Sequence, residues 1–204
     1  MTNADVPTPI DFRDAQHAAE WERTAQARPG RAQIFETFSR ELQRLGNGSL
    51  AVLDLGSGPG FLAAHLLDVM PNLQLTLLDF SAAMHDLARQ RLGSRAEHVR
   101  FMHRNFRDDE WPLGLGLFDV VVTNQAVHEL RHKRHAPALH AAVRKVLRPG
   151  GSYLVSDHYF GDGGLQNEHL YMTMAEQRAT LLAAGFSHVE RVASFGSMVM
   201  HSAT

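Results

Sequence analysis

No cysteine occurs among the 204 residues, which excludes a disulfide framework, a thiolate zinc cluster and covalent catalysis through a thiol. The lack of cysteine also fits a reducing compartment. The start, M-T-N-A-D-V-P-T-P-I-D, has no basic region followed by an apolar core, so the expected location is the cytoplasm. No stretch approaches the roughly 20 apolar residues needed to span a bilayer, and no membrane association is expected. Excess charge of one sign is missing too: a net charge of −2 and pI near 6.7 give no global electrostatic reason to bind nucleic acid or an anionic surface. No repeat is present. At 44% hydrophobic and 21% charged, there is enough chain for one sizeable core and too little for two ordinary domains.

What is present is organised around residues 50–60, L-A-V-L-D-L-G-S-G-P-G. Leu50, Val52, Leu53 and Leu55 read as a buried strand that runs into glycines at alternate positions, Gly56, Gly58 and Gly60. A ligand can lie against such a turn because glycine has no Cβ and takes positive φ. Helical spacing resumes over 61–70. The glycine spacing selects among cradles. A dinucleotide fingerprint would need glycine at position 61, where this chain has Phe61, and a phosphate loop would need a Gly-Lys-Ser/Thr that does not follow.

The run V-L-D-L-G-S-G-P-G resembles motif I of the class I S-adenosylmethionine-dependent methyltransferases. L-T-L-L-D (75–79), F-D-V-V-V-T-N (118–124) and L-R-P-G-G (147–151) follow in the order that family keeps. The resemblance covers roughly residue 50 to the C-terminus and implies an α/β fold: a Rossmann-like, seven-stranded, mostly parallel sheet with helices on both faces and a C-terminal antiparallel hairpin. It implies a methyltransferase domain over 49–204 and a helical extension over 1–48 that serves as a lid. S-adenosyl-L-methionine is the implied cofactor, with S-adenosyl-L-homocysteine as product.

Cofactor contacts are expected from Asp54, Gly56, Ser57, Gly58 and Gly60 in the motif. Asp79, 25 residues beyond Asp54, falls where a βαβ unit places a carboxylate at the end of the next strand, within reach of ribose hydroxyls. Phe80 and Met84 are candidates to pack on adenine, and Ser81 reads as an N-cap. Many family members carry aspartate where Asn105 stands. An asparagine carbonyl can still accept from the adenine amino group, and Phe106 is a candidate for the neighbouring wall. Asn124 and Gln125 leave a nearly all-apolar strand, expected to be central, and lie beside the methyl group.

The flanking elements complete the expectation. Residues 1–10 are expected to be poorly ordered, followed by helices over 11–28 and 31–45, with Arg28 and Arg31 at the break between them. Either arginine can meet a carboxylate of cofactor or substrate, or stand as a solvated helix-end charge. Strands are expected at 98–103 and 152–156, helices at 82–92, 139–147 and 172–185, and a hairpin at 188–193 and 197–202. His158 and His128 are the ordered candidates for a general base, with Asp157 to orient His158. The run His128-Glu129-Leu130-Arg131-His132 also satisfies H-E-x-x-H, a zinc pattern when both histidines share one helix face.

No N-P-P-Y motif and no metal-ligating aspartate follow strand 118–123, so a metal-independent transfer to a small-molecule acceptor is expected, in a possible homodimer. Two other readings stand beside it. One is a non-catalytic protein that binds the cofactor or its product. The other is an RNA methyltransferase, which would need a continuous basic surface.

Overall fold

A computed structural model describes residues 4–25, 28–46 and 48–204. Readings that fall on 1–3, 26–27 and 47 lie outside the described residues. Two helices come first, α1 (Ala15–Ala25) and α2 (Arg31–Leu45). There follow β1 (Ala51–Leu55), α3 (Phe61–Val69), β2 (Gln74–Asp79), α4 (Ala82–Leu92) and β3 (Arg100–His103). The rest is β4 (Phe118–Asn124), α5 (Ala136–Val146), β5 (Leu147–His158), α6 (Met174–Ala183), β6 (Val189–Phe195) and β7 (Met198–Ala203).

The seven strands form one sheet in the order β3-β2-β1-β4-β5-β7-β6. Five are parallel, and β7 runs antiparallel to both β5 and β6. Because strand side chains alternate between faces, the apolar strands feed two cores. Val52, Leu75, Leu77, Val120, Val122 and Leu154 pack on α2, α3 and α4. Leu53, Leu55, Leu78, Val121, Tyr153 and Val155 pack on α5 and α6. Helix α2 belongs to the first core through Ile34, Phe35, Phe38 and Leu42, so the extension shares its packing with the sheet. Among the described residues no helix is long and apolar enough to cross a membrane.

Several boundaries differ from those expected, each for a local reason. Helix α1 starts four residues later than expected, at Ala15, because the Asp14 carboxylate accepts from the backbone N–H of Gln16 and His17, 2.9 Å each. Short 3-10 turns over Gly93–His98 delay β3 to Arg100. Helix α5 starts early, since Pro137 lies in its first turn, where a missing N–H costs nothing. Strand β5 starts at Leu147, which pairs with Phe118, while Ser152 pairs with Val120. The Arg148–Gly151 turn therefore bulges out of a continuing strand, held by an Arg148–Asp119 ion pair at 2.5 Å. Helix α6 opens with a capping box between Thr173 and Glu176.

Residues 4–14 also differ from expectation: they form a strap bonded across the sheet's carboxyl edge. Val6 N–H donates to Arg131 O at 2.7 Å, and the Arg131 side chain donates to the carbonyls of Val6 and Pro7. Asp5 meets Arg107, Arg134 and His135. Further along, the Ser81 hydroxyl donates to Phe12 O.

Candidate functional site

A cleft opens at the carboxyl ends of β1, β2 and β4, the edge where open α/β sheets hold ligands. Its floor is the glycine loop. The backbone N–H groups of Gly56 and Ser57 donate to Leu78 O, at 2.8 and 3.1 Å. Gly58 N–H donates to one Asp79 oxygen at 2.8 Å and Ser81 N–H to the other at 2.9 Å. Asp79 thus ties the loop to the start of α4, where the Ser81 hydroxyl caps the helix by accepting from Met84 N–H. Gly56 has φ +74, and a Cβ there would lie 2.5 Å from the Ala126 Cβ, so only glycine fits.

Asp54, Gly56, Ser57, Gly58, Asp79, Phe80, Met84, Phe106, Asn124 and Gln125 all line the cleft. Two expected contacts do not. Gly60 faces α4, where a Cβ would meet Ala88 at 3.0 Å; its absent side chain lets α3 and α4 pack. Asn105 turns its carbonyl oxygen to its own loop, accepting from Arg107 N–H at 3.0 Å, and borders an outer hollow beside the cleft. Its polar reach is spent in a local turn, the usual habit of asparagine. Burial, with Asp79 beside it, raises the Asp54 carboxyl to about 8. Burial also raises Asp79, against the N–H groups of Ser81, Gly58 and Phe80, to about 6.

The roof comes from the N-terminal elements. Phe12 and Trp21 meet edge to face at 5.6 Å, and both line the cleft with Phe35, Phe61 and Arg31. Phe61, which stands where a dinucleotide fingerprint would put glycine, lies under two guanidinium groups, Arg91 at 3.8 Å and Arg31 at 4.9 Å. Arg91 also pairs with Glu22 and donates to Pro59 O, clamping α1 to the glycine loop. Arg31 is 8% exposed. Burial, then the nearby charges of Arg28 and Arg91, lower its pKa to about 10. Its Nη2 donates to Gln125 Oε1 at 3.3 Å, and its Nε has no partner among the described residues.

Beyond Gln125 stand the two histidines, with ring centres 5.7 Å apart. His128 stands between two carboxylates. Its Nδ1 lies 2.6 Å from Asp157 Oδ1 and its Nε2 3.3 Å from Glu129 Oε1. Burial opposes its charge, but the two carboxylates outweigh burial and raise its pKa to about 10. The two carboxylates favour its charged form, in which neither ring nitrogen is left to accept a proton. His158 is shifted the other way, below its ordinary value: burial lowers it, Asp157 opposes, and the charges of His128 and Arg28 add to the lowering.

Residues 128–132 do not form the helix a zinc pattern needs. A single 3-10 turn over Val127–Leu130 ends where Arg131 takes φ +65, and His132 is extended at φ −161. His132 turns away to accept from Arg134 N–H.

A parallel sheet in this order, with a glycine loop after its first strand and a carboxylate at the end of its second, defines a Rossmann-like nucleotide-binding domain with the methyltransferase hairpin. Residues 52–151 match the family described as the methyltransferase domain. The malonyl-[acyl-carrier protein] O-methyltransferase of Geobacter sulfurreducens is 31% identical over 156 residues, 68% of this chain and 56% of that protein. An O-methyltransferase family protein from Burkholderia thailandensis superposes with a TM-score of 0.73 at 19% identity, over 95% of this chain and 61% of that one. The DhpI–SAH complex gives 0.69 at 21% identity, over 93% and 92%; at such identities the likeness is one of fold. The chain spans about half the length of the curated relatives it matches. By its motif, its fold and its family match, this chain belongs to the class I, Rossmann-like methyltransferases.

Proposed function

We propose that the protein binds S-adenosylmethionine in this cleft and transfers its methyl group to a small-molecule acceptor. The observation that carries the reading is a set of four buried polar atoms without a partner among the described residues, all on residues that line the cleft: Arg31 Nε, Asp54 Oδ2, Ser57 Oγ and Asn124 Oδ1. Leaving a buried polar group unpaired costs about 1–3 kcal/mol, so four around one opening call for a ligand that pairs with them. That ligand must bring an anion for Arg31 and a donor or cation for Asp54. It must also bring a flat apolar face for Phe80, Phe106 and Phe12, and hydroxyls for Asp79. An adenosyl amino acid has all of these.

In this reading Asp79 accepts from the ribose hydroxyls, Asp54 meets the ammonium group, and Arg31 holds the carboxylate. Residues 1–48 act as the lid through Phe12, Trp21 and Arg31. The bound cofactor supplies an activated methyl group with a neutral thioether as leaving group, so the protein has mainly to align the acceptor and exclude water. Two carboxylates favour the charged form of His128, so an acceptor that arrives already ionised suits the site better than one that must lose a proton to it. The O-methyltransferase names of the relatives support oxygen as the acceptor atom.

The basic stretch over 131–145 supports a small acceptor over RNA. Arg131 is buried against Glu129, Lys133 pairs with Glu176, and Arg134 with Asp5. Arg144 donates to Gly185 O. Little continuous cationic face is left for a phosphate backbone. The test is release of S-adenosylhomocysteine from S-adenosylmethionine across a panel of small carboxylic acids and phenols. Acceptor-dependent release is expected. Tight cofactor binding with no release for any acceptor would favour the non-catalytic reading.

A further inference from the structure

Four side chains from distant parts of the chain join in one file: Arg31 from α2, Gln125 after β4, His158 at the end of β5, and Ser197 in the β6–β7 turn. Arg31 Nη2 lies 3.3 Å from Gln125 Oε1, Gln125 Nε2 lies 3.0 Å from His158 Nε2, and His158 Nδ1 lies 2.8 Å from Ser197 Oγ. The chemistry of the donors forces a direction on the file. A guanidinium only donates, so Gln125 must offer Arg31 its oxygen. The amide NH2 then faces His158, whose Nε2 must be a bare lone pair, so the proton sits on Nδ1 and goes to the Ser197 hydroxyl. Gln125 holds this place at a cost. Its φ is +56, a conformation that a residue with a side chain adopts only under constraint, and one that collects at functional sites.

We propose that His158 is a positioning residue: acting through Gln125, it aims the Arg31 guanidinium at the carboxylate of the bound cofactor, so that a proton gained by His158 loosens the grip on that carboxylate. The proposal rests on the cofactor reading above and gives His158 a task other than general base. A protonated Nε2 would set two donors face to face. Gln125 would then turn its oxygen to His158 and its NH2 to Arg31, leaving the guanidinium beside another donor and without the oxygen it donates to.

The groups that face His158 are Asp157 on its own strand, His128 after β4 and Tyr171 before α6. Arg28, between α1 and α2, adds its charge. The carbonyl of His158 is held by Gln177 of α6 at 3.0 Å, so the strand is fixed and the ring is what responds. With its pKa below the ordinary value, His158 is neutral at pH 7.5. The coupling is then lost as pH falls through the acid side of 6.5.

Two probes separate this from the titration of Asp79. S-adenosylhomocysteine has the carboxylate, whereas 5′-methylthioadenosine keeps adenine and ribose and lacks the amino-acid tail. Protonation of Asp79 weakens both alike, while the file acts on the first alone. Calorimetric titration between pH 7.5 and 5.0 is expected to show the homocysteine adduct losing about tenfold in affinity beyond any loss shared with methylthioadenosine, the factor that 1.4 kcal/mol makes. His158→Leu should show that loss already at pH 7.5. His158→Gln, whose oxygen can still accept from Gln125 but does not titrate, should keep more of the affinity than the leucine variant and lose the tail-specific pH dependence.

Parallel weakening of both probes would overturn the proposal. So would a His158→Gln protein that keeps the full tail-specific dependence, which would assign that dependence to Asp54. A folded protein that binds neither probe would sink the cofactor reading itself, and with it the proposal.

Discussion

The two rims of the cleft are built on different principles. On the β1–β2 rim the backbone does most of the work: Gly56 and Ser57 hang from Leu78 O, and Gly58 and Ser81 from one carboxylate, Asp79. On the β4–β5 rim the side chains do it, with His128 clasped by Asp157 and Glu129, and Arg31, Gln125 and His158 joined end to end. The first rim is a continuous stretch of chain with one neighbour. The second gathers residues as far apart as Arg31 and Ser197. One rim should therefore fail by losing its ligand, and the other by losing its fold.

The largest effect is expected from Asp157→Asn, which leaves the buried His128 without its main counter-charge. Breaking one partner of a buried pair costs about 3–5 kcal/mol, and chemical denaturation should read a loss of that order. A loss under about 1 kcal/mol would mean that Glu129 alone holds His128. Next is Gly56→Ala. Its Cβ would collide with Ala126 at a positive φ, a combined cost of about 2–4 kcal/mol. Binding of S-adenosylhomocysteine should be lost while the denaturation transition stays cooperative.

The pH dependence of melting sharpens the contrast. The pKa of His128 is raised, so its contribution is full below the unfolded value near 6.5 and fades as pH climbs toward about 10. Asp157 is lowered by His128 and His158 despite its burial, so its contribution is present above the unfolded value near 3.9 and vanishes in acid. The native protein should melt progressively lower from pH 7 to 10, and Asp157→Asn should flatten that slope. The smallest effect is expected at the strap. Asp5→Ala removes the ion pairs to Arg107, Arg134 and His135 on a half-exposed surface, where ion pairs are worth little. Amide exchange over 4–14 should quicken with the melting temperature barely moved.

The same contrast explains how far the sequence could be read. Strand, glycine turn and following helix are neighbours in the chain, so the alternate glycines, the Asp54–Asp79 interval and the Ser81 cap announce themselves in order. Gly60 and Asn105 stand outside the cleft lining, and spacing does not show this, because it tells where a residue stands along the loop and not which way it turns. Gly60 gives its space to Ala88, and Asn105 gives its oxygen to Arg107. The strap looked disordered because its anchors, Arg107, Arg131 and Arg134, lie a hundred residues away. His128 read as a base because its type suggests one, whereas its two carboxylates push it toward the charged form, and one of them is on β5. Phe61 carried a signal in plain view: an aromatic where another fold's fingerprint needs glycine marks a wall in place of a phosphate turn.

The central claim is that the orphaned polar atoms of this cleft await an adenosyl amino acid. The most direct test is calorimetric titration of the native protein and of Asp79→Ala with S-adenosylhomocysteine at pH 7.5. One molecule bound per chain, with binding abolished in a variant that still melts cooperatively, is the predicted result. A native protein that melts cooperatively and takes up no ligand, or an Asp79→Ala variant that binds as tightly as the native chain, would contradict it.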